Sequence, residues 1–115
     1  IDKNLITSTD LFSTIAQIAG VSANEIHDSK SFKSLLSKSE TIRNFQYSEK
    51  DDDTNNLWTI SNSSYKLIKS TNGNDEFYDL NNDPYEQNNL LSGTLTTNEN
   101  TIKSELETEL NNIRN

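Results

Sequence analysis

Three oxygen-bearing side chains late in the sequence have the spacing of calcium ligands. Asp79, Asn81 and Asp83 stand at the first, third and fifth positions of an EF-hand loop. Such a loop needs Gly at its sixth position for a sharp turn and a bidentate Glu at its twelfth. Pro84 and Leu90 occupy those two positions instead. The pattern therefore fails as a calcium loop, and we predict no metal site in this chain.

Two other side chains are candidates for binding. His27, the one histidine, has no second ligand or triad partner near it in the sequence. We interpret it as an exposed loop residue, with a place on a substrate rim as the alternative. Arg43 could bind an anion through its planar guanidinium, or could flank a strand and pair with an acidic neighbour, which we favour. The sequence holds no cysteine, so thiolate chemistry is excluded, and we predict no catalytic residue.

The elements that would position these residues begin with an amphipathic helix. Leu11, Ile15 and Ile18 recur at helical spacing. Asp10 suits the positive N-terminal end of the helix dipole, and Gly20 supplies a C-terminal stop. We predict a helix over residues 8–20. A short turn over residues 31–37 should pack three more apolar side chains against the same core, namely Phe32, Leu35 and Leu36.

Four segments with strand character follow, and we expect them to form an antiparallel meander. Only three polar residues separate the second segment from the third, which favours a hairpin. Asn72-Gly73 is typical of the next hairpin turn. The predicted strands span residues 43–49, 57–61, 65–69 and 76–80.

The last segment has the pattern of a long, capped helix. Thr96 and Glu99 have the spacing of a capping box. The apolar residues beyond them recur at helical intervals, at Ile102, Leu106, Leu110 and Ile113. A helix with one apolar face needs a sheet to cover. The predicted fold class is therefore α+β, with a small antiparallel sheet of about four strands packed against a long C-terminal helix.

The run from residue 76 to residue 90 combines the end of the last strand with a turn. Asp83 is suited to N-cap a helical turn that begins at Pro84, and Glu86 could reach back to the Asp83 amide as in a capping box. Asn89 suits the exit from that turn. We predict a structural motif rather than a catalytic site, made of Asp79, Asp83, Pro84, Glu86 and Asn89.

This run resembles the C-terminal motif of the sulfatases, members of the alkaline-phosphatase superfamily. Its pattern reads Phe-Tyr-Asp-Leu-x-x-Asp-Pro-x-Glu-x-x-Asn-Leu over residues 77–90. Further stretches resemble segments of the same family in the same order, at residues 10–14, 28–32, 47–49 and 65–68. Three positions depart from the family's usual residues, with Ser13 in place of Pro, Ser29 in place of Gly and Ser61 where Arg is frequent.

The resemblance implies a domain organisation and a parent enzyme. Residues 1–40 would end the large alkaline-phosphatase-like α/β domain, and residues 41–115 would form the small C-terminal sulfatase subdomain. The parent would hydrolyse sulfate esters with a calcium ion and a formylglycine, which forms in a Cys/Ser-x-Pro/Ala-x-Arg motif. The single proline of this chain, Pro84, has Glu86 where that motif requires Arg.

The expected function is therefore that of a C-terminal fragment of a sulfatase, which completes the fold and lines part of the substrate rim without a catalytic centre of its own. The expected partners are the missing N-terminal catalytic domain and, through the parent, a sulfated carbohydrate or other sulfate ester. The resemblance also implies a secreted or periplasmic location. The chain begins at Ile1 and contains no Met, so we expect it to be part of a longer polypeptide.

Two alternatives stay open at this point. A non-catalytic α+β module could bind carbohydrate or another subunit through Tyr47, Trp58, Tyr65 and Tyr78, provided that several of them share an exposed face. The parent could instead hydrolyse a phosphate or phosphonate ester, a chemistry of the same superfamily. The formal net charge of −8 argues against nucleic acid as a partner, and no apolar run reaches the length of a membrane span.

Overall fold

The computed structural model describes residues 4–21, 28–51 and 53–115. The chain divides into two compact units between Asn44 and Phe45. The N-terminal unit contains helix α1, Asp10–Ile18, and a 3-10 helix, Lys33–Leu36. Gly20 lies just beyond α1 with a φ of +76°, a left-handed conformation that glycine adopts without steric cost at helix ends. The predicted helix and its stop are confirmed.

Helix α1 is amphipathic, but its buried side is polar. Asp10 is fully buried, and Ser13 and Thr14 are nearly so. The apolar side is exposed, with accessible fractions of 50% for Leu11, 52% for Phe12, 63% for Ile15 and 57% for Ile18. The helical period is confirmed, whereas the expected apolar core beneath α1 is not formed by the described residues. Leu36, expected in that core, is 71% exposed, because polar groups occupy the buried side of the helix.

The C-terminal unit is built on a four-stranded antiparallel sheet in the order β1-β2-β3-β4. The strands are β1 Gln46–Lys50, β2 Leu57–Ser61, β3 Tyr65–Ser70 and β4 Glu76–Asp79. Each strand pairs with its neighbour in the sequence, so the predicted meander is confirmed. Strand β1 begins later than predicted because Gln46 pairs with Ser61, the last residue of β2, which leaves residues 43–45 beyond the end of that strand.

Helix α2, Thr97–Arg114, covers one face of this sheet. Thr96 Oγ1 accepts a hydrogen bond from the Glu99 amide at 3.2 Å, and the Glu99 carboxylate accepts one from the Thr96 amide at 2.6 Å. The predicted capping box is confirmed. The core beneath the helix is a cluster of buried apolar side chains: Ile60, Leu67, Phe77, Leu106 and Leu110. The structure therefore has the predicted α+β class.

Ring contacts join neighbouring elements of this unit. The ring of Tyr65 stacks on that of Phe77, with centroids 5.4 Å apart. The guanidinium of Arg114 lies 3.8 Å from the ring centroid of Trp58 and so joins the last turn of α2 to β2. Within the described part of the chain, neither helix has the combination of length and apolar character that crossing a membrane requires.

Candidate functional site

Arg43 lies at the centre of a buried ionic cluster in the N-terminal unit. Its side chain is 6% exposed, and that of Asp10 is 0% exposed. Arg43 Nε and Nη2 donate to the two carboxylate oxygens of Asp10 at 2.8 and 2.6 Å, which makes a bidentate pair. Arg43 Nη1 donates to Asp28 Oδ2 at 2.6 Å, and Nη2 also contacts the Asp28 carbonyl oxygen. All three guanidinium nitrogens are therefore engaged by acceptors of the same unit.

Asp10 connects this cluster to the backbone around it. Its Oδ2 accepts from the Thr7 amide and its Oδ1 from the Lys30 amide, each at 2.8 Å. Burial alone raises the pKa of Asp10, but hydrogen bonds from Arg43 and from these two amides outweigh burial and hold the pKa well below its usual range. The pKa of Arg43 is raised, chiefly by its hydrogen bond to Asp10. Both groups are charged at neutral pH, and each is the counter-ion of the other.

Ser13 and Ser29, two of the departures from the sulfatase pattern, lie against each other. Their hydroxyl oxygens are 2.7 Å apart. Ser29 Oγ donates to the Thr9 carbonyl oxygen at 2.6 Å, and the Ser13 amide donates to Ser29 Oγ at 3.3 Å. A proline at position 13 has no amide hydrogen, and a glycine at position 29 has no hydroxyl. The two departures therefore supply hydrogen-bonding groups for each other.

In the C-terminal unit, the predicted motif forms the loop between β4 and α2, and its acids are acceptors for that loop. Asp79 accepts from the Asn82 side-chain amide at 2.7 Å and from the Asn82 backbone amide at 3.3 Å. Asp83 accepts from the Gln87 amide at 3.0 Å and from the Asn88 amide at 2.8 Å. These backbone hydrogen bonds lower the pKa of Asp83. Both carboxylates thus stabilise the conformation of the loop through hydrogen bonds.

Only a single turn forms after Asp83, closed by the Glu86 amide on the Asp83 carbonyl oxygen at 3.1 Å, and the capping box predicted for it is wrong. Glu86 has a φ of +55°, which lies outside the helical region. Its carboxylate accepts from Lys66 Nζ at 2.9 and 2.8 Å. The Asp83 amide donates instead to the Asp79 carbonyl oxygen at 2.8 Å. A cation on β3 binds the Glu86 carboxylate more strongly than a neutral amide would, and Pro84 is left in an exposed turn.

Asn89 fastens the end of this loop to the sheet. Its Oδ1 accepts from the Phe77 amide and from the Leu91 amide, each at 3.0 Å, and its Nδ2 donates to the Asp75 carbonyl oxygen at 3.2 Å. The residue also caps a 3-10 helix, Leu90–Ser92. Asn89 therefore does more than end a turn, since a single amide side chain joins β4, the loop and the next helical segment.

The donor set of the described residues does not fit a calcium ion. Among residues 4–21, 28–51 and 53–115, no three His, Asp or Glu side chains are grouped so as to hold a metal. The oxygens of Asp10 face Arg43 and amide hydrogens, which are groups that repel a cation. His27 lies outside the described residues, and its place on a substrate rim stays a prediction.

The aromatic residues considered as a carbohydrate platform do not share an exposed face. Tyr47, Trp58 and Tyr65 pack against the core beneath α2. Tyr78 is the neighbour of Phe77 on β4, so its side chain lies on the opposite face of the sheet, where it is 8% exposed. Burial and a hydrogen bond to a carboxylate raise the pKa of Tyr78 to about 12. Tyr47, Trp58 and Tyr65 are therefore used for packing within the unit, and Tyr78 is buried on the other face.

Sequence reasoning identified Arg43 and Glu86 but missed their partners. The sequence predicts a helix-dipole role for Asp10 and places Asp28 in a segment that resembles sulfatases, whereas both bind Arg43. Lys66 was assigned to a strand, whereas it binds Glu86. All three missed partners lie in segments that carried the sulfatase resemblance, and that was the one available signal of their importance.

The order of the segments that resemble sulfatases, together with the loop between β4 and α2, agrees with one family. The profile of the family described as N-sulphoglucosamine sulphohydrolase, C-terminal, matches residues 1–115. The chain belongs to this family. The predicted resemblance to the C-terminal portion of sulfatases is thereby confirmed. No curated protein matches this sulfatase C-terminal portion.

Solved structures share the fold of this sulfatase C-terminal portion. A Bacteroides thetaiotaomicron VPI-5482 protein described as a sulfatase superposes with a TM-score of 0.77 and 24% identity, covering 90% of this chain and 23% of that chain. A 2-O GAG sulfatase superposes with a TM-score of 0.76 and 24% identity, covering 90% of this chain and 23% of that chain. A protein in complex with its substrate, D-glucosamine-2-N,6-O-disulfate, superposes with a TM-score of 0.75 and 24% identity, covering 90% of this chain and 22% of that chain. The chain thus spans less than a quarter of each of these proteins.

Proposed function

We propose that the protein containing this chain hydrolyses a sulfate ester of a carbohydrate, and that this chain is its C-terminal portion. The match of the family profile over residues 1–115 carries the proposal. The related folds include a 2-O GAG sulfatase and a structure with a disulfated glucosamine as substrate. We expect upstream residues to supply the calcium ion and formylglycine of such an enzyme, since this chain spans less than a quarter of the related sulfatases.

The role we propose for the N-terminal unit is to complete the large domain. The apolar stripe of α1, defined as Leu11, Phe12, Ile15 and Ile18, is at least half exposed at every position. Full burial of one such side chain contributes about 1.5–3 kcal/mol, so covering the exposed half of four would contribute about 3–6 kcal/mol. That gain favours docking of the stripe on the upstream part of the same polypeptide, with residues 1–40 ending the large domain.

The ionic cluster supports this role by fixing the orientation of α1. Asp10 and Arg43 hold the polar side of the helix against its own unit. The apolar stripe is then left on the outer side. Replacing the cluster by an apolar core would remove the distinction between the two sides. The buried charges therefore specify an orientation as well as contributing contacts.

A matched pair of substrates tests the proposed reaction. The full-length protein should release sulfate from a sulfated glucosamine and leave the corresponding phosphate ester almost unchanged. Faster turnover of the phosphate ester would favour the related phosphatase chemistry, and turnover of neither would contradict a hydrolase of this class. Replacing His27 by Gln in the same assay separates the two interpretations of this residue. An unchanged KM fits the exposed loop position, whereas a raised KM at constant kcat indicates a contact with substrate.

The proposed docking surface is tested by separating the chain from the upstream part. The two parts, expressed as separate polypeptides, should copurify. Ile15→Asp places a charge in the apolar stripe and should abolish copurification. Ser39→Asp adds the same charge at an exposed position of the same unit and serves as the control. Equal recovery of both variants would show that α1 is not the contact surface.

A further inference from the structure

The turn between β3 and β4 places Asn72 directly before Gly73 at an exposed hairpin tip. The ladder between these strands ends with the pair Ile68 and Glu76, so the tip lies beyond it. Residues 71–74 are exposed. Gly73 has a φ of +80°, and open space surrounds the position where a Cβ would stand. The peptide nitrogen after Asn72 is therefore approached without steric hindrance.

The Asn72 side chain is folded back over this peptide unit. Its Oδ1 accepts from the Asn74 amide at 2.9 Å, so the side chain crosses the Gly73 residue between them. Asn72 Oδ1 also lies 2.7 Å from the Ser70 hydroxyl, whose single proton is shared with Asn55 Oδ1 at the same distance. Donors at Oδ1 draw electron density from the Asn72 Cγ and stabilise negative charge that develops on this oxygen.

We propose that Asn72 is a site of spontaneous deamidation in the native protein. The Gly73 nitrogen gives up its proton to hydroxide and attacks the Asn72 Cγ, which forms a five-membered succinimide ring. The bond from Cγ to Nδ2 breaks, and the nitrogen takes a proton from water and leaves as ammonia. One water molecule then opens the ring at either of its two carbonyl carbons, which yields aspartate or isoaspartate. No oxidant or reductant takes part.

One hydrogen bond in the turn opposes this reaction and must open before the reaction can begin. The Gly73 amide donates to the Ser70 carbonyl oxygen at 3.1 Å, and this bond has to open before the nitrogen can attack. Hairpin tips beyond the last ladder pair open at a small free-energy cost. The reaction therefore needs only a local opening of the turn, while the pairing of Ile68 with Glu76 and the rest of the sheet stays intact.

The deamidated product changes the surface beside the loop between β4 and α2. A groove of about 530 Å³ includes Gly73, Asn74 and Lys103 in its lining. Deamidation places an additional carboxylate beside this groove and makes the unit one charge more negative. The isoaspartate form also inserts a methylene group into the main chain and so alters the spacing of the bond that closes the turn. The change accumulates with the age of the molecule.

Peptide mass mapping of the full-length protein during incubation at mildly alkaline pH tests the proposal. Asn74 provides an internal control, because it is exposed in the same tip but is followed by Asp75. We expect Asn72 to convert about tenfold faster than Asn74, since glycine leaves the attack unhindered. Asn72→Gln should remove the fast release of ammonia without loss of the folded state.

Two results would overturn the proposal. Equal rates at Asn72 and Asn74 would show that the Gly73 position confers no advantage. Retention of the Asn72 amide in the native protein, while a synthetic peptide of residues 68–78 converts, would show that the bond between Ser70 and Gly73 protects the site. A rate that increases with pH is expected in the native protein, because attack requires loss of the Gly73 proton.

Discussion

Replacing Arg43 by Met should destabilise the N-terminal unit. The carboxylate of Asp10 is 0% exposed, so loss of its counter-ion leaves an uncompensated buried charge, which costs about 3–5 kcal/mol. Asp28, at 71% exposure, is solvated and adds only about 0–1 kcal/mol. At about 1.4 kcal/mol for each factor of ten, the total corresponds to roughly two to four orders of magnitude in amide protection.

Hydrogen exchange on the full-length protein measures this loss. The Thr7 and Lys30 amides, which donate to Asp10, and the amides of α1 should lose protection. Lys38→Met is the matched control, since it removes an exposed pair in which Lys38 is 63% and Glu40 35% exposed. That pair contributes little to stability, because solvent screens the attraction between its charges.

The reasoning would be refuted by equal exchange in the Arg43 and Lys38 variants. Adding Asp10→Asn to Arg43→Met separates charge from packing, because the double variant leaves no buried charge unpaired. It should recover part of the lost protection. A double variant less protected than Arg43→Met alone would show that the hydrogen bonds of the Asp10 carboxylate, rather than its charge, dominate.

Three further predictions concern acid, the core and the paired serines. The folded pKa of Asp10 is lowered, so its contribution is complete at neutral pH and is lost as pH falls below the unfolded value of about 3.9. Protection of α1 should therefore be constant from pH 7 to 5 and decline below about pH 4. Leu106→Ala, at 0% exposure, should cost about 2–5 kcal/mol in urea unfolding followed by tryptophan fluorescence. Ile113→Ala, at 45% exposure, should cost less than about 1 kcal/mol, and equal costs would contradict the assigned core. Ser29→Gly removes the hydroxyl that contacts the Ser13 hydroxyl and amide and donates to the Thr9 carbonyl oxygen, so it should cost about 1–3 kcal/mol, whereas adding Ser13→Pro should cost less than the sum of the single changes. Strict additivity would show that the two serines are independent.

The elements of this fold were readable from the sequence because their signals are local. Strand-forming residues and the turn signals between them predicted all four strands, although β1 was placed too early. The capping box of Thr96 and Glu99 spans only three residues and was found intact. The period of the last helix also predicted which residues reach the core, since Leu106 and Leu110 are both buried. Short-range patterns therefore predicted the approximate position of each element and the side of α2 that reaches the core.

Contacts between distant residues were not readable in the same way. Arg43 and Asp10 are 33 positions apart, and no pattern in a single sequence links them. The local capping signal of Asp83 and Glu86 failed because Lys66, 20 positions away, binds the Glu86 carboxylate. The period of α1 showed that one side is apolar but could not show what covers it. Each of these results depends on tertiary structure.

The connectivity of the sheet has a consequence for how the C-terminal unit folds. Every strand pairs with the strand next to it in the sequence, so each step of sheet formation closes only a short loop. Topologies dominated by such local contacts fold fast for their size. The longest closure is the docking of α2, which follows β4 after residues 80–96. We therefore expect the hairpin of β2 and β3 to form early, and the helix to complete the core in the rate-limiting step.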